Sequence, residues 1–421
     1  MKKRSFVAAA VAVVVLGGIW LTWRPSIAPV APDAVASFDD ASVLKGAQLA
    51  TLANCMNCHT AQGKAPFSGG RPMETPFGTL YASNLTPDRD TGIGTWSLQA
   101  FQRAMREGVD REGRHLYPAF PYDHFTHVTD ADSAAIYAYL MSNPAVKNQI
   151  PANDLEFPFN IRPLAAGWKL LFLNSGKLEP DPSHDELWNR GRYLVEGLGH
   201  CSSCHTPRNA MGAEKRGDLY SGGLADDWVA PALDGSVIKA HKWTVDDMTA
   251  YLTTGWSARH GVAAGPMAEV AQNLGRLSQE DVRAMSTYLV SFSADAQPPK
   301  PAVPPSLPAT GDTLVARALF DGACVACHTD SRDVGPSKAL PLGINTMVHA
   351  DSSANAVRAI MQGIDAYRTD GGPYMPPFGK AFTDEQIVAL TNYVRARYSQ
   401  QPPWNDVESE VAKVRQEEAK Q

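Results

Sequence analysis

The sequence predicts an all-α chain: three tandem helical domains behind an N-terminal transmembrane helix. Three observations predict it. All six cysteines fall in three copies of C-x-x-C-H, at 55–59, 201–205 and 324–328. Each copy follows a short helical stretch and precedes, well downstream, an amphipathic stretch that opens on a hydroxyl residue. The chain also begins with a basic cluster followed by an uncharged apolar run. Its 421 residues suit three domains at about 150 residues each. A net charge of −6 leaves no electrostatic footprint for nucleic acid.

At the N-terminus, Lys2, Lys3 and Arg4 precede a run without charge from Phe6 to Trp23. As a helix that run would extend about 27 Å, close to a hydrocarbon core of about 30 Å. Trp20 and Trp23 suit the far interface, and the basic cluster stays inside. The other reading is a cleaved signal peptide, with "AVAS" at 34–37 as the small-residue site. The expected location is the inner membrane, with the bulk of the chain on the periplasmic side. The expected division is 1–36 anchor and linker, 37–150 first domain, 151–184 linker, 185–296 second domain, 297–310 proline-rich linker, 311–400 third domain and 401–421 tail.

Within each repeat the downstream helix has one grammar: "TDADSAAIYAYL", "SQEDVRAMSTYL" and "TDEQIVALTNYV". Thr129, Ser278 and Thr383 are N-caps, with Asp132, Asp281 and Gln386 three residues on, a capping-box pattern. Tyr139, Tyr288 and Tyr393 each stand ten residues past the cap. In the 151–184 linker, "WKLLFL" is expected to pack on a domain rather than on a membrane. The proline-rich stretch is a semi-rigid spacer, and "DVESEVAKVRQEEAKQ" reads as a solvated helix or frayed tail.

C-x-x-C-H is the spacing at which two thiols add to the vinyl groups of one haem and the next histidine ligates its iron. A disulfide needs no histidine after each pair. A thioredoxin-like pair would not occur three times, and adjacent Cys-His surrounds a tetrahedral zinc ion poorly. The cofactors expected are three covalently bound haem c groups, held by Cys55, Cys58, Cys201, Cys204, Cys324 and Cys327, with His59, His205 and His328 on the irons. The fold class is then three tandem cytochrome c domains. Glycine- and proline-rich loops before the last helices put Met375 on the third iron and Met267 on the second, with His260 as the alternative there. In the first repeat the same loop carries Phe120. His124 is assigned to that iron, a bis-histidine site, with His127, Met73, Met105 or an open position as the alternatives.

The stretches "GGRPMETPFGTLYASNLTPDRDTGIG", "GRYLVEGLGHCSSCHTPR", the Met267 loop and "MPPFGKAFTDEQI" resemble the three-haem cytochrome c subunits of bacterial membrane-bound dehydrogenases, from about residue 42 to 398. That resemblance implies the same six thioether cysteines, the same three proximal histidines and distal ligation by Met267 and Met375. It departs at Phe120, where the alcohol and gluconate types carry methionine; "YPAFPYDHF" is similar to the branch that accompanies molybdopterin dehydrogenases of aldehydes or N-heterocycles. The implied function is electron transfer from a separate dehydrogenase subunit (molybdopterin/iron–sulfur, or quinoprotein or flavoprotein) to membrane quinone or another cytochrome. No catalytic residue is assigned to the chain. The competing readings are a haem enzyme reducing a small molecule such as peroxide at an open first iron, and a subunit of a terminal oxidase.

Overall fold

The computed structural model describes residues 18, 22–31, 37–294, 311–328, 341–367 and 372–419. These form two compact units: one comprises 1–184, 192–201 and 209–213, the other 185–191, 202–208 and 214–421. The 297–310 spacer and nearly all of the apolar run 6–23 lie outside the described residues.

In the first unit, helix Asp40–Leu52 starts where Asp39 accepts from the Ser42 amide, and helix Asp130–Met141 starts where Thr129 accepts from the Asp132 amide. The two cross at Gly46. A Cβ there would lie 1.9 Å from the Ala135 carbonyl oxygen and 2.8 Å from Tyr139 Cβ. Hydrogen is therefore the only side chain this crossing admits. Beside it, Lys45 pairs with Asp132 at 2.6 Å.

The second unit repeats the arrangement with other residues. Helix Glu186–Tyr193 meets helix Gln279–Ser291 at Gly191, whose Cβ would lie 2.0 Å from the Ala284 carbonyl oxygen and 2.9 Å from Tyr288 Cβ. Arg190 donates twice to Asp281, at 2.7 and 3.1 Å. A basic residue before the glycine thus binds the aspartate three residues past the cap. These aspartates serve the helix crossing and do not close a capping box. Helix Gly311–Ala323 packs on helix Asp384–Tyr398, with the buried Ala316 and the exposed Val315 on the first of them. Its partner helix has Gln386 in place of aspartate. Gln386 is released for the reciprocal capping box with Thr383, at 2.9 and 3.3 Å.

The all-α expectation is corrected. Among the described residues, seven short strands form three antiparallel sheets in the loops between helices. In the first unit, β1 (Pro72–Thr75), β2 (Gly78–Tyr81) and β3 (Asp154–Leu155) make one sheet. In the second, β4 (Gly223–Ala225) pairs with β5 (Trp228–Ala230), and β6 (Trp256–Ser257) with β7 (Gly261–Val262). Loops this long must satisfy their backbone amides, and short ladders do so. Asp226 and Asp227, both at positive φ (46° and 65°), close β4 onto β5 as a two-residue turn of the primed type. The expected transmembrane helix falls on the run 6–23, nearly all of it outside the described residues; among the described residues no helix is long and apolar enough to cross a membrane.

Of the "WKLLFL" segment expected to pack on a domain, Trp168 and Lys169 are buried in the first unit, whereas Leu170 and Leu171 are exposed. Helix Leu164–Phe172 inserts Trp168 beside Tyr122 in an edge-on contact at 5.9 Å. Next to it the buried Lys169 donates to the Glu107 and Gly108 carbonyls at 2.6 and 2.5 Å, and its Nζ lies 2.9 Å from His115 Nδ1. A lysine on the terminal carbonyls of helix Leu98–Glu107 satisfies acceptors left unpaired at that end of the helix. Burial lowers Lys169 from 10.5 to about 7, with Arg24 adding to the shift. The folded value lies below the unfolded one, so between them the unfolded chain holds more protons. The stability this group contributes is present above pH 10.5 and is lost as pH falls through about 7. We expect the unfolding free energy of the parent, relative to Lys169→Met, to grow as pH is raised across that window. A difference independent of pH, measured by denaturant titration, contradicts the assignment.

The C-terminal stretch is a helix, Val407–Glu418, but it is not solvated on all sides. Val407, Val411 and Val414 are buried in one core with Val357, Met361, Ile387 and Leu390. Arg358, itself buried, donates to both carboxylate oxygens of Glu417 at 2.7 and 2.9 Å and to the Asp227 carbonyl at 3.1 Å. Lys413 reaches the Asp227 carboxylate at 2.6 Å. The sequence is mostly charged here, and its i, i+4, i+7 valine stripe is what buries it.

Candidate functional site

Each C-x-x-C-H stretch lies at or just past the end of the first helix of its repeat. Residues Cys55–His59 form one helical turn after Asn54, which takes left-handed φ (51°) to redirect the chain. Cys201 precedes helix Ser202–His205. It follows a π-helical segment, Leu194–Leu198, that accommodates a longer approach to the motif. The segment Cys324–His328 follows helix Gly311–Ala323, with the His328 amide donating to the Cys324 carbonyl at 2.8 Å. None of the six cysteines is joined in a disulfide. Burial pushes Cys55 up to about 12 and Cys324 up to about 11, helped in each by the second thiol of the pair.

Two of the three motif histidines, His59 and His205, are oriented by backbone carbonyls. His59 Nδ1 lies 2.7 Å from the Ser83 oxygen, and His205 Nδ1 lies 2.7 Å from the Pro231 oxygen. A ring that donates from Nδ1 keeps its lone pair on Nε2, the arrangement by which an outer hydrogen bond fixes the tautomer of a ligand histidine. Burial lowers both rings below the ordinary histidine value, and the carbonyls oppose this. The rings stay neutral near pH 7, as metal ligation requires. Sequence reasoning identified the histidines but not Ser83 and Pro231, because a carbonyl partner leaves no residue-type signal.

The third repeat brings its predicted residues together. Cys324, His328 and Met375 line one cavity of about 890 Å³, its open mouth included, with Phe320, Val348, Ile360, Leu390 and other apolar residues as its walls. Apolar pockets of this size with few polar groups are the usual form of cofactor sites. The Met375 loop is pinned by a pair of 2.8 Å backbone hydrogen bonds with Ile364. It also lies against Gly363, whose Cβ would meet the Met375 oxygen at 2.5 Å. A flat apolar macrocycle joined to two thiols and held between an imidazole and a thioether fits these residues.

In the second repeat, Met267 opens helix Pro266–Leu274 behind Gly265, whose Cβ would lie 2.5 Å from the Trp228 ring. Met267 packs with Ala263, Ala268, Ala271 and Tyr367. The alternative, His260, is stacked on Trp243 at 3.7 Å and lies 3.6 Å from the Asp247 carboxylate.

The first repeat differs. Phe120 sits in an aromatic cluster, 5.3 Å from Phe125 and 6.5 Å from Tyr122, and packs beside Trp168. His124 is buried; its Nδ1 lies 2.9 Å from the Glu196 carbonyl oxygen and its ring 6.3 Å from that of His200. It is thus set against the stretch leading into Cys201, with Nδ1 held by a carbonyl as in His59 and His205. His127 Nδ1 lies 2.7 Å from the Gly176 oxygen at a more open position. Met105 is a core residue of helix Leu98–Glu107, and Met73 lies in β1 opposite Leu80. His115 uses both ring nitrogens, on Thr22 and Lys169.

Two family models match the chain, one described as cytochrome c over residues 43–144, the other as cytochrome c oxidase, cbb3-type, subunit III over residues 311–394. A nicotinate dehydrogenase subunit of Pseudomonas putida is 46% identical over 402 residues, 94% of this chain and 34% of that protein. The chain therefore spans only part of that relative's length. The gluconate 2-dehydrogenase cytochrome c subunit of Pantoea cypripedii is 34% identical, with 91% of each chain covered. The cytochrome c subunit of the quinone alcohol dehydrogenase of Gluconobacter oxydans is 31% identical over 90% of this chain and 83% of its own length.

Proposed function

Because this chain belongs to the cytochrome c subunits of dehydrogenase complexes, we propose that it holds three haems and conducts electrons through them from a catalytic partner to an acceptor. As a member of that family it is an electron-transfer subunit and not the catalytic one. The haem count, the ligands and the acceptor are our reading.

The observation that carries it is the convergence of Cys324, His328 and Met375 on one apolar cavity. A bound haem supplies a one-electron ferric/ferrous couple whose potential follows the axial ligands. The chain's residues supply the rest. Cys55, Cys58, Cys201, Cys204, Cys324 and Cys327 tether the macrocycles. His59, His205 and His328 present a ring nitrogen on one side. Met267 and Met375 present soft thioethers on the other, and the apolar walls keep water out. For the first site His124 is the sixth ligand, supported by its burial and by the carbonyl on Nδ1.

The partner is a dehydrogenase acting on an N-heterocyclic or related small substrate, a reading supported by the identity to the nicotinate dehydrogenase subunit. The acceptor is membrane quinone or another cytochrome. The working side is the periplasmic face of the inner membrane, supported by the basic cluster and apolar run that open the sequence. Reductive titration of the purified haem-loaded chain tests the core of this. Three one-electron equivalents per chain are expected, and two or fewer contradict it.

A further inference from the structure

Residues 341–419 do more than close their own pocket. Val262, at the end of β7 and five residues before Met267, lines the cavity that holds Cys324, His328 and Met375. In the other direction, Tyr367 packs into the cluster formed by Ala263, Ala268, Ala271 and Met267. Its ring lies on Gly255, where a Cβ would meet it at 2.2 Å, and Gly255 is at φ 80°. The neighbouring segment is anchored by Gln272, which donates to the Ala366 carbonyl at 2.6 Å. Asn355 both accepts from Val229 N and donates to Val229 O, at 2.8 and 2.7 Å. The second and third sites therefore exchange residues across a built junction.

Tyr367 has one feature this packing does not explain. Its side chain is 3% exposed, and its hydroxyl has no hydrogen-bond partner among the described residues. An unpaired buried hydroxyl costs about 1–3 kcal/mol, and nearly all such groups in folded proteins have a partner. A phenol hydroxyl carries its proton at neutral pH and can donate.

We propose that Tyr367 is a positioning residue of the second haem site, its hydroxyl donating to a haem carboxylate on the Met267 side. The inference rests on the reading of Met267 and the second haem given above. A donor that stabilises charge on the carboxylate favours the reduced iron. Removing the donor lowers that haem's potential.

The test is Tyr367→Phe in the full haem-loaded chain, with all three midpoint potentials resolved by spectroelectrochemical titration. One potential is expected to fall, by about threefold to tenfold in the reduction equilibrium, with the low-spin spectrum and the thermal midpoint retained. A purely structural tyrosine would move the thermal midpoint and leave the potentials alone. Met267→His marks the second haem by lowering its potential independently. C201S/C204S removes that haem, and the effect of Tyr367→Phe must vanish in that background. Three unchanged potentials in Tyr367→Phe, or a shift confined to the haem marked by Met375→His, overturns the proposal. If Met267→His moves no potential, the Met267 ligand assignment fails separately; the C201S/C204S background still decides Tyr367.

Discussion

Replacing Met375 by alanine adds one carbon monoxide site per chain to the reduced, haem-loaded protein. The loop carrying Met375 is held by two backbone hydrogen bonds to Ile364 and by Gly363, so the truncation removes the thioether without releasing the loop. Alanine has no donor atom that could replace the sulfur, and the site stays closed only if the other methionine of the cavity lining, Met347, takes its place. The remaining iron position is then open to a small diatomic ligand. The potential of that haem is expected to fall as well, because a thioether ligand raises the potential of a haem iron. Counting carbon monoxide per chain in parent and variant checks this. The difference of one is informative whatever sixth ligand the first iron has. An unchanged count means that Met375 is a core residue and that another side chain completes the site.

Gly46→Leu should prevent the first repeat from assembling. The missing Cβ at Gly46 would lie 1.9 Å from one backbone oxygen and 2.6 Å from its carbon. Backbone cannot swing aside as a flexible side chain can. The helices Asp40–Leu52 and Asp130–Met141 would have to separate, which uncovers Leu49, Leu52, Ile136 and Leu140, all buried in the parent. It would also break the Lys45–Asp132 pair. Overpacking alone costs about 1–3 kcal/mol, and separation adds the lost burial, so about 4 kcal/mol or more is expected. That is a large share of the roughly 5–15 kcal/mol a domain possesses. Gly167→Ala, in a helix where nothing lies within 4 Å of the added Cβ, is the control. It should be neutral or stabilising by up to about 1 kcal/mol. Denaturant unfolding of both variants compares them. Equal behaviour would mean that the crossing does not depend on Gly46.

What could be read from sequence follows from how local each constraint is. The C-x-x-C-H triplets were legible because covalent attachment and ligation bind adjacent residues. Met375 stood out because its loop is written in glycine and proline next to a strong helix cap. Tyr139 and Tyr288 recur visibly, but Gly46 and Gly191, the positions they lean on, are single glycines inside helices. Their meaning lies in a carbonyl about ninety residues away. The strands were missed because runs of two to four residues are too short to show a period of two. The burial of helix Val407–Glu418 was hidden by its charge, although Val407, Val411 and Val414 carry the helical stripe. Phe120 signalled a departure, but its destination, the Tyr122–Phe125–Trp168 cluster, depends on a helix some fifty residues downstream. Tyr367 gave no sequence signal because its partners come from another repeat.

Three macrocycles bound covalently to one polypeptide is the statement on which the electron-transfer account depends. Intact mass spectrometry under denaturing conditions, on chain purified from a host able to attach haem c, measures it directly. The account predicts a mass raised by three haem groups, falling to two when Cys324 and Cys327 are both replaced by serine. A chain of unmodified mass, or one whose added mass is indifferent to those two cysteines, contradicts it.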